Sequence, residues 1–174
     1  MITVINGTNR PGNLSQVVAR YYINKIEESG EEVLYLDLQA MPFEYLKLDS
    51  LKTEDEKIGL ANWVQKFLGQ TSKLVIVCPE YQGSYTGILK LFIDFVHPHY
   101  FEGKKIALVG VSKGRFGNLR GLDHLTGIFN YLQAFVLPQK VIISMVHTQL
   151  ENEQLKDEKT KIEIEKQLRQ FQIF

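Results

Sequence analysis

One cysteine stands among 174 residues, and neither sign of charge is in excess: 20 Lys and Arg face 20 Asp and Glu. A lone Cys78 excludes an internal disulfide and a cysteine-rich zinc site. A formal net charge of zero leaves no surplus of base to match a nucleic-acid backbone or an anionic lipid surface, so neither is expected as a partner. No uncharged apolar run reaches the roughly 20 residues of a membrane span. The opening MITVING lacks the basic start and long apolar core of a signal peptide, so a cytoplasmic protein is expected. The 44% hydrophobic and 23% charged content is that of a globular chain rather than a disordered one. Its length suits one domain spanning residues 1–174, able to bury roughly 70% of its unfolded surface.

Short apolar runs alternate with amphipathic stretches. Ile2 to Ile5 reads as a strand ending at Asn6-Gly7. Leu14, Val17, Val18, Tyr21 and Tyr22 then recur on one helical face, closed near Ser29-Gly30. Residues 32–38 read as a second strand. Leu60, Val64, Phe67 and Leu68 mark a second helix, and the run LVIVC from Leu74 to Cys78 marks a strand covered on both faces. Residues 87–97 form a helix apolar nearly all round, and Lys105 to Val111 a fourth strand. Leu122, Leu125, Phe129 and Leu132 mark a further helix. Val136 to Met145 reads as a fifth strand region with Pro138 at an edge or bulge, and residues 152–171 as a charged helix. Strands alternating with helices predict an α/β fold: a doubly wound five-stranded parallel sheet with helices on both faces. Ligands of such sheets bind beyond the carboxyl ends of the strands, which directs attention to the loops after strands 1, 3 and 4.

The first loop, GTNRPGNLSQ at residues 7–16, combines a turn glycine, the hydroxyls of Thr8 and Ser15, the cation Arg10 and a helix start near Asn13. That chemistry suits a phosphate monoester, although a helix cap beside a surface arginine has the same composition. The loop lacks the G-K-[ST] of a nucleotide-triphosphate loop and the G-x-G-x-x-G of a dinucleotide site. The second, PEYQGSYTGILK at residues 79–90, offers the ring of Tyr81 and the amide of Gln82 to a flat heterocycle, or simply turns the chain. The third, VSKGRFGN at residues 111–118, has two glycines that permit close backbone approach to a ring edge.

Taken together, GTNRPGNLSQVVA, PEYQGSYTGILKLFIDF and VSKGRFGNLRG resemble the NAD(P)H-dependent FMN reductase family of flavodoxin-like proteins, which includes azo-dye, quinone and chromate reductases. The resemblance spans residues 2–145, and the middle motif is its most specific part. It implies that Thr8, Arg10, Asn13, Ser15 and Gln16 hold the FMN phosphate. It implies further that Pro79, Glu80, Tyr81 and Gln82 line the ribityl chain and isoalloxazine, and that Ser112, Lys113, Gly114 and Arg115 meet the other ring edge. Asn13 stands where some members carry Ser, Gln82 where Asn is usual, Thr86 where Pro is usual, and Leu91-Phe92 where Asn-Ala is usual. The implied activity is hydride transfer from NADPH or NADH to FMN and on to a small acceptor such as a flavin, quinone, azo compound or metal oxyanion. No general base, covalent nucleophile or metal is expected, and a homodimer or homotetramer is.

Two other readings of the same motifs are a non-catalytic FMN-binding or sensor module and a flavodoxin-type electron carrier; the balanced charge weighs against the carrier. A receiver domain would need acids where Asn6 and Cys78-Pro79 stand. Cys78 reads as a buried structural thiol, His97-Pro98-His99 as a helix-ending turn rather than metal ligands, and the aromatic stretch MPFEYL as packing or interface rather than a substrate lid. The all-round apolar helix reads as one buried in an oligomer.

Overall fold

The computed structural model describes residues 1–43 and 52–174. Part of the aromatic stretch MPFEYL lies outside the described residues. Strands β1 (Ile2–Asn6), β2 (Val33–Asp37), β3 (Lys73–Pro79) and β4 (Lys105–Val111) form a parallel sheet in the order β2-β1-β3-β4. A fifth position beside β4 is shared by β5 (Phe135–Val136) and β6 (Val141–Ile143), both parallel to it. This 2-1-3-4-5 order is the expected doubly wound, flavodoxin-like sheet.

The sheet forms from continuous apolar runs because both of its faces are covered. Along β3 the two-residue period sorts Leu74, Ile76 and Cys78 into one core and Val75 and Val77 into the other. The first core receives Leu89, Phe92 and Ile93 of α3 (Gly87–Phe95), Leu122, Leu125 and Phe129 of α4 (Leu119–Tyr131), and Val64 of α2 (Glu54–Val64). The second receives Val18, Tyr22 and Ile26 of α1 (Ser15–Glu28) and Ile164, Leu168 and Phe171 of α5 (Glu158–Ile173). A reciprocal capping box starts α2: Glu56 N–H donates to Thr53 Oγ1, and Thr53 N–H donates to Glu56 Oε2. Below α2 the chain continues through one π-helical turn, Gln65–Gly69.

Two expectations are corrected. The region Val136 to Met145 is not one strand, because the Pro138 ring removes a donor and fixes φ, and the chain leaves the ladder between Val136 and Val141. The carboxamide of Gln167, fully buried on α5, fills the gap: its Nε2 donates to Leu108 O at 3.1 Å and to Gln139 O at 2.9 Å. Its Oε1 accepts from the Tyr22 hydroxyl at 2.7 Å. The charged helix begins at Glu158, not near 152. Leu150–Glu151 (β7) and Gln154–Leu155 (β8) form a two-stranded hairpin whose turn holds Asn152 and Glu153 at φ of 49° and 58°. Asp157 then caps α5 by accepting from Thr160 N–H at 2.8 Å.

The strongly apolar helix is α3, ending at Phe95. Leu89, Phe92 and Ile93 are buried, while Ile88, Leu91 and Phe95 keep partial exposure. Between α3 and α4 runs an open groove of about 600 Å³, lined chiefly by Tyr85, Ile93, Val96, Ile128, Tyr131 and Leu132. Tyr131 on its rim is 86% exposed.

Candidate functional site

The loops after β1, β3 and β4 leave the same edge of the sheet. Two main-chain bonds carry the pairing past the strand ends: Gly7 N–H donates to Val77 O, and Glu80 N–H to Val111 O, both at 2.8 Å. Between the loops lies a cleft of about 270 Å³. Eight of the sequence-predicted residues line it: Arg10, Asn13, Ser15, Pro79, Glu80, Tyr81, Ser112 and Lys113, together with Gly12, Leu14, Val111 and Val146.

The first loop is tied together by its own polar groups. Asn13 Oδ1 accepts from Gln16 N–H at 2.9 Å and lies 2.8 Å from the buried Ser15 hydroxyl. It also accepts from Asn6 Nδ2 at 3.2 Å. Asn13 Nδ2 donates to Arg10 O at 2.8 Å. Asn6 Nδ2 also reaches Asp37 Oδ1 at 3.1 Å, and the Tyr35 hydroxyl donates to Asp37 Oδ2 at 3.0 Å. Burial and the Asp37 carboxylate hold the Tyr35 phenol well above its ordinary pKa.

Thr8, fully buried beneath the cleft, shares a 2.7 Å hydrogen bond with the Tyr81 hydroxyl and accepts from Arg10 N–H at 3.3 Å. The Arg10 guanidinium stacks 4.5 Å from the centre of the Tyr81 ring. The first and second loops are therefore joined at Tyr81.

The second loop is a tight turn. Tyr81 and Ser84 exchange main-chain hydrogen bonds at 2.9 and 3.1 Å, with Gln82 at φ 52° and Gly83 at φ 75° between them. Gln82 thus adopts left-handed backbone, a region that Asn tolerates better than a longer side chain. The turn points Gln82 to solvent and away from the cleft. Thr86 caps α3 by accepting from Leu89 N–H, while its hydroxyl donates to Gly7 O.

In the third loop the Ser112 hydroxyl donates to Gly114 O at 2.9 Å and accepts from Gly117 N–H at 3.1 Å, which folds the loop back on itself. Lys113 reaches the cleft, whereas Gly114 and Arg115 do not line it, and Arg115 is exposed. Gln16 contributes its N–H to Asn13 and does not line the cleft either.

Three contributors escape sequence reasoning. Val146 follows β6 and enters the cleft because Ser112 O accepts from Val146 N–H at 3.0 Å. Asn118, 1% exposed with φ 65°, donates its Nδ2 to Cys78 O at 3.0 Å and its N–H to Glu80 Oε2 at 3.3 Å, fixing the Glu80 carboxylate. Gly121 lets α4 approach the second loop. A Cβ there would sit 2.1 Å from Asn118 Oδ1 and 2.6 Å from Tyr85 N. Asn118 closes the third loop and Gly121 ends the motif VSKGRFGNLRG, but no local pattern marks the contacts they make.

Cys78 is buried, and burial pushes its thiol up to about 12, which suits a structural role and not a nucleophile. His97 and His99 share a hydrogen bond of 2.7 Å between their Nδ1 atoms, at the turn that follows α3.

The cleft lining brings together the opening of α1, the Ser15 hydroxyl and Arg10, donors suited to a phosphate, with Tyr81, Pro79, Val111 and Val146, a surface suited to a flat ring. Fold and site thus define a flavodoxin-like domain built to hold a mononucleotide, and FMN fits the residues present. Residues 1–148 match the NADPH-dependent FMN reductase family, and the chain belongs to that family of oxidoreductases, which work with FMN and a reduced nicotinamide.

Among its relatives, the NADPH azoreductase of Bacillus sp. (strain OY1-2) is 26% identical over 148 residues, 85% of this chain and 79% of that protein. Two solved structures share the fold. An NADH:FMN oxidoreductase in its apo form has a TM-score of 0.75 at 16% identity, covering 99% of this chain and 88% of that one. The flavoenzyme NAD(P)H:(acceptor) oxidoreductase FerB of Paracoccus denitrificans has a TM-score of 0.73 at 19% identity, covering 99% and 97%.

Gly121→Ala is expected to lower stability by about 1–3 kcal/mol through overpacking against Asn118 and the 84–85 backbone. Gly127→Ala in the same helix, where a Cβ meets nothing within 4 Å, is expected to be neutral or stabilising by up to about 1 kcal/mol. Urea denaturation of both variants reads the difference; equal midpoints would contradict the close approach at Gly121.

Proposed function

We propose that the chain, acting as one FMN-binding domain over residues 1–174, passes hydride from NADPH or NADH to FMN and on to a small-molecule acceptor. The observation that carries this reading is the convergence of three loops on one cleft. Its lining combines the cations Arg10 and Lys113 and the opening of α1 with the apolar and aromatic surface of Pro79, Tyr81, Val111 and Val146. Arg10, Asn13 and Ser15 line the phosphate end, with Thr8 supporting Tyr81 beneath it and Gln16 offering its N–H: Arg10 and the α1 amino terminus supply positive charge, and the Ser15 hydroxyl supplies a donor. Pro79, Glu80 and Tyr81 follow the ribityl chain and ring, with Glu80 held in place by Asn118, while Gln82 forms the solvent-facing turn behind them. Ser112 and Lys113 meet the far ring edge, where Lys113 adds positive charge, and Gly114 shapes their loop by accepting from the Ser112 hydroxyl.

Bound FMN supplies the hydride chemistry. The chain's part is to bind the phosphate, orient the ring and keep one side open. A cleft of about 270 Å³ is smaller than the roughly 300–1,000 Å³ of most ligand pockets, in keeping with a cofactor that stays partly open to a nicotinamide and an acceptor. Arg115, exposed on the loop tip, and Lys113 are suited to the 2′-phosphate of NADPH. The azoreductase among the relatives favours azo compounds within an acceptor class that also takes in quinones, free flavin and metal oxyanions. Among the described residues no helix is long and apolar enough to cross a membrane. The lone buried thiol and the use of a reduced nicotinamide support a cytoplasmic setting.

The groove between α3 and α4 takes a second copy of the chain, giving a homodimer or homotetramer. Its apolar lining and the exposed Tyr131 ring leave more hydrocarbon in water than one sheet face requires.

Arg10→Ala is expected to weaken FMN binding by roughly ten-fold or more, through loss of one charge-assisted phosphate contact, with riboflavin affinity unchanged. Fluorescence titration with both flavins checks this, and an unaltered FMN affinity would remove Arg10 from the phosphate site. Tyr131→Asp is expected to shift the chain toward monomer in sedimentation equilibrium. A wild-type chain that already sediments as a monomer would overturn the dimer.

A further inference from the structure

The phosphate end of the cleft carries an acceptor of its own. Asn13 Oδ1 takes the N–H of Gln16 at 2.9 Å and lies 2.8 Å from the Ser15 hydroxyl, and Ser15 is 1% exposed. Both donors belong to the first turn of α1, where an anion would draw on the helix dipole; Ser15 lines the cleft, and its hydroxyl lies 2.8 Å from Asn6 Oδ1 as well. The amide is held from behind as well: Asn6 Nδ2 donates to the same oxygen at 3.2 Å and is anchored by Asp37, while Asn13 Nδ2 donates to Arg10 O. The remaining groups of the loop are likewise engaged within the protein. Thr8 is paired with the Tyr81 hydroxyl, and the Arg10 guanidinium lies over the Tyr81 ring.

We infer that the amide oxygen of Asn13 is an internal stand-in for a phosphate oxygen, and that a phosphate monoester binds by displacing it from Gln16 N–H and the Ser15 hydroxyl. Serine, which some family members carry here, has a shorter side chain with one rotatable oxygen. Asparagine instead projects an acceptor that spans Ser15 and Gln16 at once. The exchange favours the phosphate because a dianion makes charge-assisted bonds with the same donors, adds the attraction of Arg10, and suits the helix amino terminus better than a neutral amide. Asn13 therefore shapes the loop in advance and lowers its affinity for the phosphate by the strength of the cap it gives up. Its role is positioning and selectivity, and the inference rests on the reading of this cleft as the FMN site.

The test compares wild type with Asn13→Ala in flavin-free protein, titrated separately with FMN and with riboflavin, which lacks the phosphate. Loss of a side-chain cap typically changes a helix equilibrium by an amount equivalent to roughly five-fold in affinity. Asn13→Ala is expected to bind FMN about five-fold more tightly, to bind riboflavin as wild type does, and to exchange the Gln16 amide hydrogen faster when flavin-free. Asn13→Asp, which keeps the cap and places a carboxylate there, is expected to protect the Gln16 amide while losing FMN affinity and retaining riboflavin. Weaker FMN binding by Asn13→Ala with riboflavin unchanged would make Asn13 a phosphate ligand and overturn the inference. Unchanged FMN affinity or an unchanged Gln16 exchange rate would overturn it too. A wild-type protein that binds neither flavin would instead overturn the FMN reading on which the inference stands.

Discussion

The parallel pairing of β3 with β1 on one side and β4 on the other determines where every group in the cleft lies. Asn6 pairs in register with Val77, and Pro79 with Val111, so the chain leaves three strands at nearly the same level. The Gly7–Val77 and Glu80–Val111 main-chain bonds then extend that alignment one residue past the strand ends. Chain order reverses between β1 and β3, and the crevice left by that reversal receives the ligand. Buried on both faces, these strands have no alternative register that keeps their apolar side chains out of water. Arg10, Tyr81 and Lys113, far apart in the chain, consequently line one cleft.

On that frame the polar groups of the site form two connected sets. One runs from Tyr35 through Asp37 and Asn6 to Asn13, Ser15 and Gln16, and it shapes the amino end of α1. The other runs from Cys78 O and Glu80 through Asn118, with Gly121 admitting the second loop against α4. Tyr81 joins the first set to the second loop by its hydroxyl contact with Thr8 and its ring contact with Arg10. Because buried polar groups are costly to leave unpaired, each set holds its loop in one arrangement. The cleft is braced by its own hydrogen bonds where a phosphate would sit, and the Asn13 amide is the group a phosphate would displace there. It is open where a nicotinamide and an acceptor would approach.

The strands were legible where burial is complete. The run from Leu74 to Cys78 reads as a covered strand because nothing polar interrupts it, and Lys105–Val111 matches the expected bounds without change. The fifth strand was not, since its continuity fails at Pro138 and is bridged by a glutamine, Gln167, that lies far along the chain. The hairpin before α5 was hidden because Asn152 and Glu153 carry its turn without a glycine. At the site, motif residues on the loop flanks line the cleft, while Gln82 and Arg115, at loop tips, turn to solvent. Val146 was invisible because its place depends on β6 pairing with the end of β4, a tertiary fact with no local sequence mark.

The central claim, that this cleft holds FMN and serves hydride transfer, is tested most directly by one anaerobic spectrum. The protein is purified, loaded with one equivalent of FMN and freed of unbound flavin, and its visible absorbance is recorded before and after NADPH or NADH is added. The expected result is a yellow protein whose flavin absorption bleaches with the nicotinamide and returns when a quinone or azo acceptor is supplied. A protein that retains FMN but does not bleach with either nicotinamide would contradict the reductase and leave a binding module. One that retains no FMN would contradict the site itself.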